Sequence, residues 1–256
     1  MIWDDDVDVD SDDVDAAAPP STDPLDALPT GPARADRRVI TIFGMPGYGK
    51  TTLAASLYTA AVARGICATW IDTTGNNVYL ARAGRGAGVH CAVARTVDGW
   101  AAHVHAALRS ARPFNVVLVP EGADLSAFWS LAFAAGHQLL AVDEFDAYAT
   151  SQTALARDHP LRRVIAQGRH RQLSLLSTVR VPPELHKLAR AFSDVSISFR
   201  QQDPTYAEQI AREAFHGAER RAAAWLQQLP RWHYLRFDTM GRFSWGIARP
   251  PLQTAG

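Results

Sequence analysis

From Val39 to Phe199 the chain alternates short, continuous apolar runs with longer stretches whose apolar residues return at helical spacing. The runs Val39–Phe43, Ala68–Asp72, Val89–Val93, Val116–Pro120, Gln138–Asp143, Leu173–Thr178 and Val195–Phe199 have strand length and little polar alternation. Strands of that kind are buried on both faces, as in a parallel sheet covered by helices. The covering helices are expected over Thr51–Arg64, Asp98–Arg109, Leu125–Ala135, Leu161–Arg169, Pro183–Phe192 and Pro204–Phe215. Toward the C-terminus the pattern changes. Trp232–Phe237 and Arg242–Ile247 flank Asp238-Thr239-Met240-Gly241, which predicts an antiparallel hairpin at the sheet edge or on an adjoining surface.

Residues 1–36 do not share this pattern. They hold eleven Asp and a single Arg, and the Pro-containing stretch Ala18–Pro32 is too polar and too rich in breakers to enter a core. The organisation expected is a disordered acidic arm over 1–36 and one domain over 37–256. The balance of 26 basic against 26 acidic residues therefore conceals a basic body behind an acidic tail. Cys67 and Cys91 have no CxxC or His partner spacing and are expected to be buried free thiols. His90, His103 and His105 likewise form no complete metal-ligand set. The stretch Leu125–Val142 is interrupted by Ser126, Ser130, Gly136, His137 and Gln138, so no membrane span is expected there. The acidic N-terminus is unlike a secretory signal, and a soluble, intracellular protein is expected.

Gly44-Met45-Pro46-Gly47-Tyr48-Gly49-Lys50-Thr51, followed by Thr52, is a complete GxxxxGK[ST] phosphate loop (Walker A) directly after the first strand. The chemistry needs that spacing. Glycines let successive backbone N–H groups curl around phosphates while the next helix offers its positive end. Lys50 is expected at the β and γ phosphates of ATP, with the Thr51 hydroxyl on Mg²⁺. Leu139-Leu140-Ala141-Val142-Asp143-Glu144 is an apolar strand ending in two acids, the arrangement of a Walker B segment. Asp143 would hold Mg²⁺, and Glu144 would orient or deprotonate a water. An acid placed to activate water favours hydrolysis over phosphoryl transfer to a metabolite.

Asp72-Thr73-Thr74-Gly75, the acid pair, Gln167-Gly168-Arg169-His170-Arg171 and the strand Leu173–Thr178 leading to Arg180-Val181-Pro182-Pro183 resemble, in order and spacing, the HerA/FtsK superfamily of DNA-translocating ATPases. The resemblance covers about residues 38–200. It implies an α/β fold, a RecA-like P-loop NTPase with a mainly parallel central sheet flanked by helices and a C-terminal β-hairpin. It further implies that Asp72–Gly75 closes the strand next to the phosphate loop. Arg169 matches the arginine projected into a neighbouring subunit's site, with Arg162, Arg163 and Arg171 as nearby competitors. A trans-acting finger implies a homo-oligomeric ring, expected to be a hexamer. Two positions depart from the pattern: Arg180 stands where a γ-phosphate-sensing Gln is common, and Asn76 where an acid often follows Asp-x-x-Gly.

The compactness of the chain resembles the genome-packaging ATPases of membrane-containing, double-jelly-roll phages and viruses. That likeness implies double-stranded DNA as partner, a capsid-vertex or membrane protein as docking partner, and a location in the host cytoplasm or on the virion. Arg82 and Arg85 lie in a Gly-rich basic loop that could grip DNA phosphates, which would carry no sequence preference. Two other classes remain open at this point: a nucleotide-switch partition or assembly ATPase, and a small-molecule P-loop kinase.

Overall fold

The computed structural model describes residues 37–122, 124–152, 155–180, 182–214, 219–239 and 243–249. The acidic arm expected over 1–36, and Met240 and Gly241 of the expected turn, lie outside the described residues. The parallel strands are β1 (Val39–Phe43), β2 (Ala68–Ile71), β3 (His90–Ala94), β4 (Phe114–Leu118), β5 (Gln138–Val142), β6 (Leu173–Val179) and β7 (Val195–Ser198). The last two strands, β8 (His233–Asp238) and β9 (Phe243–Ile247), run antiparallel. Among the described residues all nine form one sheet in the order β3-β4-β2-β5-β6-β1-β7-β8-β9. The C-terminal hairpin thus extends the sheet beyond β7 at its edge.

The pleat divides the core in two. On β1, Ile40 and Ile42 point to one face with Trp70, Val117, Leu139, Ala141 and Leu176. There they meet Leu53, Leu57, Tyr58 and Ala61 of α1 (Lys50–Ala63). Val39 and Phe43 point to the other face with Ile71, Val116, Leu118, Leu140, Val142 and Leu175. That face is covered by α2 (Val97–Arg109), α3 (Ser126–Ala135) and α4 (Pro160–Gln167), and farther along by α5 (Lys187–Ala191), α6 (Pro204–Ala214) and α7 (Glu219–Gln228). Continuous apolar runs follow directly from this arrangement in β1, β2, β4, β5 and β6, where each successive residue is buried on one face or the other, whereas β3 at the sheet edge is largely half-buried.

Three expectations need correction. The helix expected over Pro183–Phe192 is a 3₁₀ turn, Pro182–Glu184, followed by the short α5. The break has a cause: Leu185 is fully buried and bridges Thr150, the His186 amide bonds to the Ala149 carbonyl, and the His186 ring then caps α5. The Asp-x-x-Gly strand, β2, does not adjoin the phosphate-loop strand, since β5 and β6 stand between it and β1. Cys67 and Cys91 are free but only half-buried. Among the described residues no helix is long and apolar enough to cross a membrane.

Candidate nucleotide site

β1 ends in Gly44, whose φ of 147° places its Cα against Phe199; a Cβ there would lie 2.7 Å from Phe199 Cβ. The loop then turns up and enters α1 through Gly49, at φ 109°. Gly49 offers no side-chain cap and the first turn of α1 carries no acid. The leading N–H groups of α1 therefore keep their capacity for an anion, at the end where the helix dipole favours one. Lys50 curls back so that Nζ donates to the Met45 carbonyl at 3.0 Å. Burial draws its ammonium down to about 8, against the upward pull of Asp143, Asp146 and Glu144.

β6 lies between β1 and β5, so the end of β6 connects the phosphate loop to the acid pair. Asp143 is buried, and the Thr51 hydroxyl sits 3.1 Å from its Oδ1 and 3.3 Å from its Oδ2. The Thr178 hydroxyl donates to Asp143 Oδ1 at 2.6 Å and accepts from the Glu144 amide at 2.9 Å. From the other side Asn77 Nδ2 reaches Asp143 Oδ2 at 3.5 Å. Asn77 is held there by Asp72, whose carboxylate accepts from the amides of Thr74, Gly75 and Asn77 at 3.3, 3.0 and 2.6 Å. The Asp-x-x-Gly segment is thus a turn that aims Asn77 at Asp143.

Glu144 occupies left-handed backbone, φ 55° and ψ 52°, uncommon for a residue with a side chain and a form of strain found at functional sites. Arg180, just beyond β6, lies 3.8 Å from Glu144 and 3.5 Å from Asp146. Asp146 is buried, and neither of its oxygens accepts a hydrogen bond among the described residues.

Lys50, Thr51, Asp143, Glu144, Thr178 and Arg180 line a cavity of about 320 Å³ with residues of the phosphate loop, Arg231 and Trp232. The residues fit a Mg²⁺-nucleotide. The Thr51 hydroxyl and the Asp143 carboxylate put hard oxygen donors side by side, as Mg²⁺ requires, and the N–H groups of the loop face the same space.

The other sequence-derived residues are placed differently. Gly44 and Met45 support the loop from below, and Tyr48 packs partly buried against the core on the α1 side. Arg82 ends the 3₁₀ turn Val78–Arg82 that follows Asn77, Arg85 lies three residues beyond it, and both are exposed. Arg169 is exposed in a 3₁₀ turn before β6. The length of β6, about 20 Å at 3.3 Å per residue, separates it from the cavity of its own chain. Arg169 instead borders a second cavity with Arg37 and Asp194. Sequence reasoning did not find Thr178, Asn77, Asp146, Arg231 or Trp232 as site residues. Asp146, two residues past Glu144, carried the clearest signal as a third acid after the apolar strand; Arg231 and Trp232 carried none.

No protein-family model matches the chain, and no curated protein sequence matches it. Similar solved structures do exist. The genome packaging NTPase B204 from Sulfolobus turreted icosahedral virus 2, in complex with AMPPCP, matches with a TM-score of 0.62 at 16% identity, covering 86% of this chain and 99% of that one. Its complex with ATP-gammaS gives a TM-score of 0.62 at 16% identity, with coverage of 84% and 98%. VirB4 of Thermoanaerobacter pseudethanolicus matches with a TM-score of 0.62 at 14% identity, covering 86% of this chain and 91% of that one. The chain has the fold of these proteins.

Proposed function

We propose that the protein is an ATP-hydrolysing DNA translocase, a viral genome-packaging motor that works as a ring, expected to be hexameric, on double-stranded DNA. The observation that supports hydrolysis best is the Thr51 hydroxyl at the Asp143 carboxylate, which joins the phosphate loop to the acid pair, beside the Thr178 hydroxyl that donates to Asp143 and accepts from the Glu144 amide. The loop N–H groups and Lys50 bind the triphosphate. Thr51 and Asp143 would hold Mg²⁺, which would neutralise charge on the phosphate oxygens. Glu144 takes the proton of the attacking water. Arg180, which pairs with Glu144 when no phosphate competes for it, moves its guanidinium toward the γ phosphate and leaves Glu144 free as a base.

Arg169 serves a neighbouring subunit. Its position at the far end of β6 excludes its own cavity and leaves it exposed for another, where a guanidinium finger is worth about 10³–10⁵ in rate in other NTPases. Exposed Arg82 and Arg85 contact DNA phosphates, without sequence preference. The packaging role draws on the fold match to B204, a genome packaging NTPase. A capsid-vertex or membrane protein as docking partner, and a place in the host cytoplasm or on the virion, follow from that role.

The test is ATP hydrolysis with and without double-stranded DNA, for the wild type and for Lys50→Ala, Glu144→Gln and Arg169→Ala. DNA-stimulated turnover that all three substitutions abolish, and that mixed-in Arg169→Ala subunits poison, is the expected result. Turnover indifferent to DNA and to subunit mixing would overturn the motor reading in favour of a switch ATPase or a kinase.

A further inference from the structure

The segment that leads into β8 closes one side of the phosphate-loop cavity, and none of the steps above uses it. Arg231 Nε donates to the Gly47 carbonyl at 3.0 Å, and the guanidinium carbon lies 5.3 Å from the centre of the Trp232 ring. Trp232 presses on the start of α1 so closely that a Cβ on Gly49 would lie 2.7 Å from Trp232 Cε3. Its backbone is left-handed, φ 69°, which a bulky residue adopts only where its surroundings impose it. The imposing contact is the Ala248 amide, which donates to the Trp232 carbonyl at 2.8 Å and ties the segment to the end of β9. The hairpin therefore holds an indole and a guanidinium, both planar, against the cavity wall.

The cavity lining therefore combines two chemistries. One part carries the helix N-terminus, Lys50 and the acid-held hydroxyl of Thr51; another carries an aromatic ring backed by a planar cation. A nucleoside triphosphate carries the matching two, with anionic oxygens at one end and a flat π-system at the other. We propose that Arg231 and Trp232 form the nucleobase side of the site, where the base packs on their planar groups. The inference rests on the reading of the phosphate loop as a triphosphate site. Stacking tolerates every base because each has a π-face, and it favours the larger purines. A plain prop for the phosphate loop is the competing role, since Trp232 touches Gly49 and Arg231 bonds to Gly47.

A ligand that has the phosphates but no base separates the two. Affinities for MgATP, MgCTP and Mg-tripolyphosphate are measured by calorimetry on the full chain and on Trp232→Leu, Trp232→Phe, Arg231→Lys and Lys50→Ala. Leucine fills the space against Gly49 without a π-face, phenylalanine keeps a π-face, and lysine keeps the charge without the plane. The expected result is a loss of MgATP affinity of about 10-fold for Trp232→Leu, a smaller loss for Arg231→Lys, and unchanged tripolyphosphate binding in both. Trp232→Phe should stay within about 3-fold of wild type for every ligand, and wild type should prefer MgATP to MgCTP. Equal losses for MgATP and tripolyphosphate would overturn the proposal and make the pair a loop prop, as would no loss for either. Should Trp232→Leu fail to fold, the Arg231→Lys comparison decides alone. Wild-type protein that binds neither MgATP nor tripolyphosphate, or a Lys50→Ala variant that binds both as well as wild type does, would defeat the phosphate-loop reading itself.

Discussion

The Thr178 hydroxyl donates to Asp143 Oδ1 at 2.6 Å. The same oxygen accepts from the Glu144 amide, so one side chain on β6 sets both acids at the end of β5. Thr178→Val keeps the β-branched shape and removes only the hydroxyl. Asp143 then loses a buried donor and the Glu144 amide loses its acceptor, each worth about 1–3 kcal/mol when left unpaired. The expected outcome is a fall in kcat for ATP hydrolysis of about 10-fold or more, with a smaller change in KM and a lower melting temperature. Steady-state kinetics beside a thermal melt check it; unchanged kcat would mean that the acid pair is held in place without Thr178.

Arg180 and Asp146 form a pair of unequal burial, with the acid side chain 1% exposed and the arginine 47% exposed. Arg180→Ala strands a buried carboxylate. Because half of Arg180 lies in solvent, the cost is less than for a fully buried pair, about 1–2 kcal/mol at neutral pH. Asp146→Asn in the Arg180→Ala background should recover most of that stability, since it removes the uncompensated charge. Urea denaturation of the wild type, both single variants and the double variant gives the coupling directly. Additive effects of the two substitutions would show that the pair is not coupled.

Much of this architecture was legible as pattern. Val39–Phe43 and Gln138–Val142 read as buried strands because every residue enters one of two cores, and the phosphate loop and acid pair stood out by spacing. The helix α7 did not, because its buried face is the small set Ala222, Ala223 and Leu226 beneath a charged start, Glu219-Arg220-Arg221. Nor did the break at Leu185, since a single buried leucine paired to Thr150 leaves no local mark. Thr178 and Trp232 were invisible for a different reason. Their roles arise only from strand order, which puts β6 between β1 and β5 and brings the end of β9 back to the phosphate loop.

Lys50 makes phosphate binding dependent on pH. Burial lowers its pKa to about 8, so in the nucleotide-free site it is largely cationic below that pH and neutral above it. A bound triphosphate favours the cationic form and raises the pKa. Binding above pH 8 must therefore take up a proton, and affinity falls as pH rises, approaching tenfold per unit. Tripolyphosphate affinity measured from pH 6.5 to 9.5 should be flat at the low end and decline above about 8. Lys50→Arg should remove that decline over this range, because a guanidinium stays charged. A flat profile in the wild type would show that Lys50 stays protonated throughout in the free protein.

Gly49 is the position where backbone and packing demands coincide. Its φ of 109° lies in the left-handed region, and the space a Cβ would take is already filled by Trp232 and by the Ala248 side chain at 3.3 Å. Gly49→Ala therefore meets two penalties together: strained backbone at the first turn of α1, and a clash that pushes the hairpin base off the phosphate loop. The two can be separated. Gly49→Ala combined with Trp232→Leu relieves part of the clash and leaves the backbone strain untouched. If the clash dominates, the single variant should lose more melting temperature and more tripolyphosphate affinity than the double variant. If the strain dominates, the two variants should be equally impaired. Because the α1 N–H groups can face phosphate only when Gly49 holds its left-handed turn, both variants should bind tripolyphosphate about 5- to 150-fold more weakly than wild type, on the order of 1–3 kcal/mol of backbone strain. Wild-type affinity in either would show that the loop reaches its phosphate-binding form without that turn.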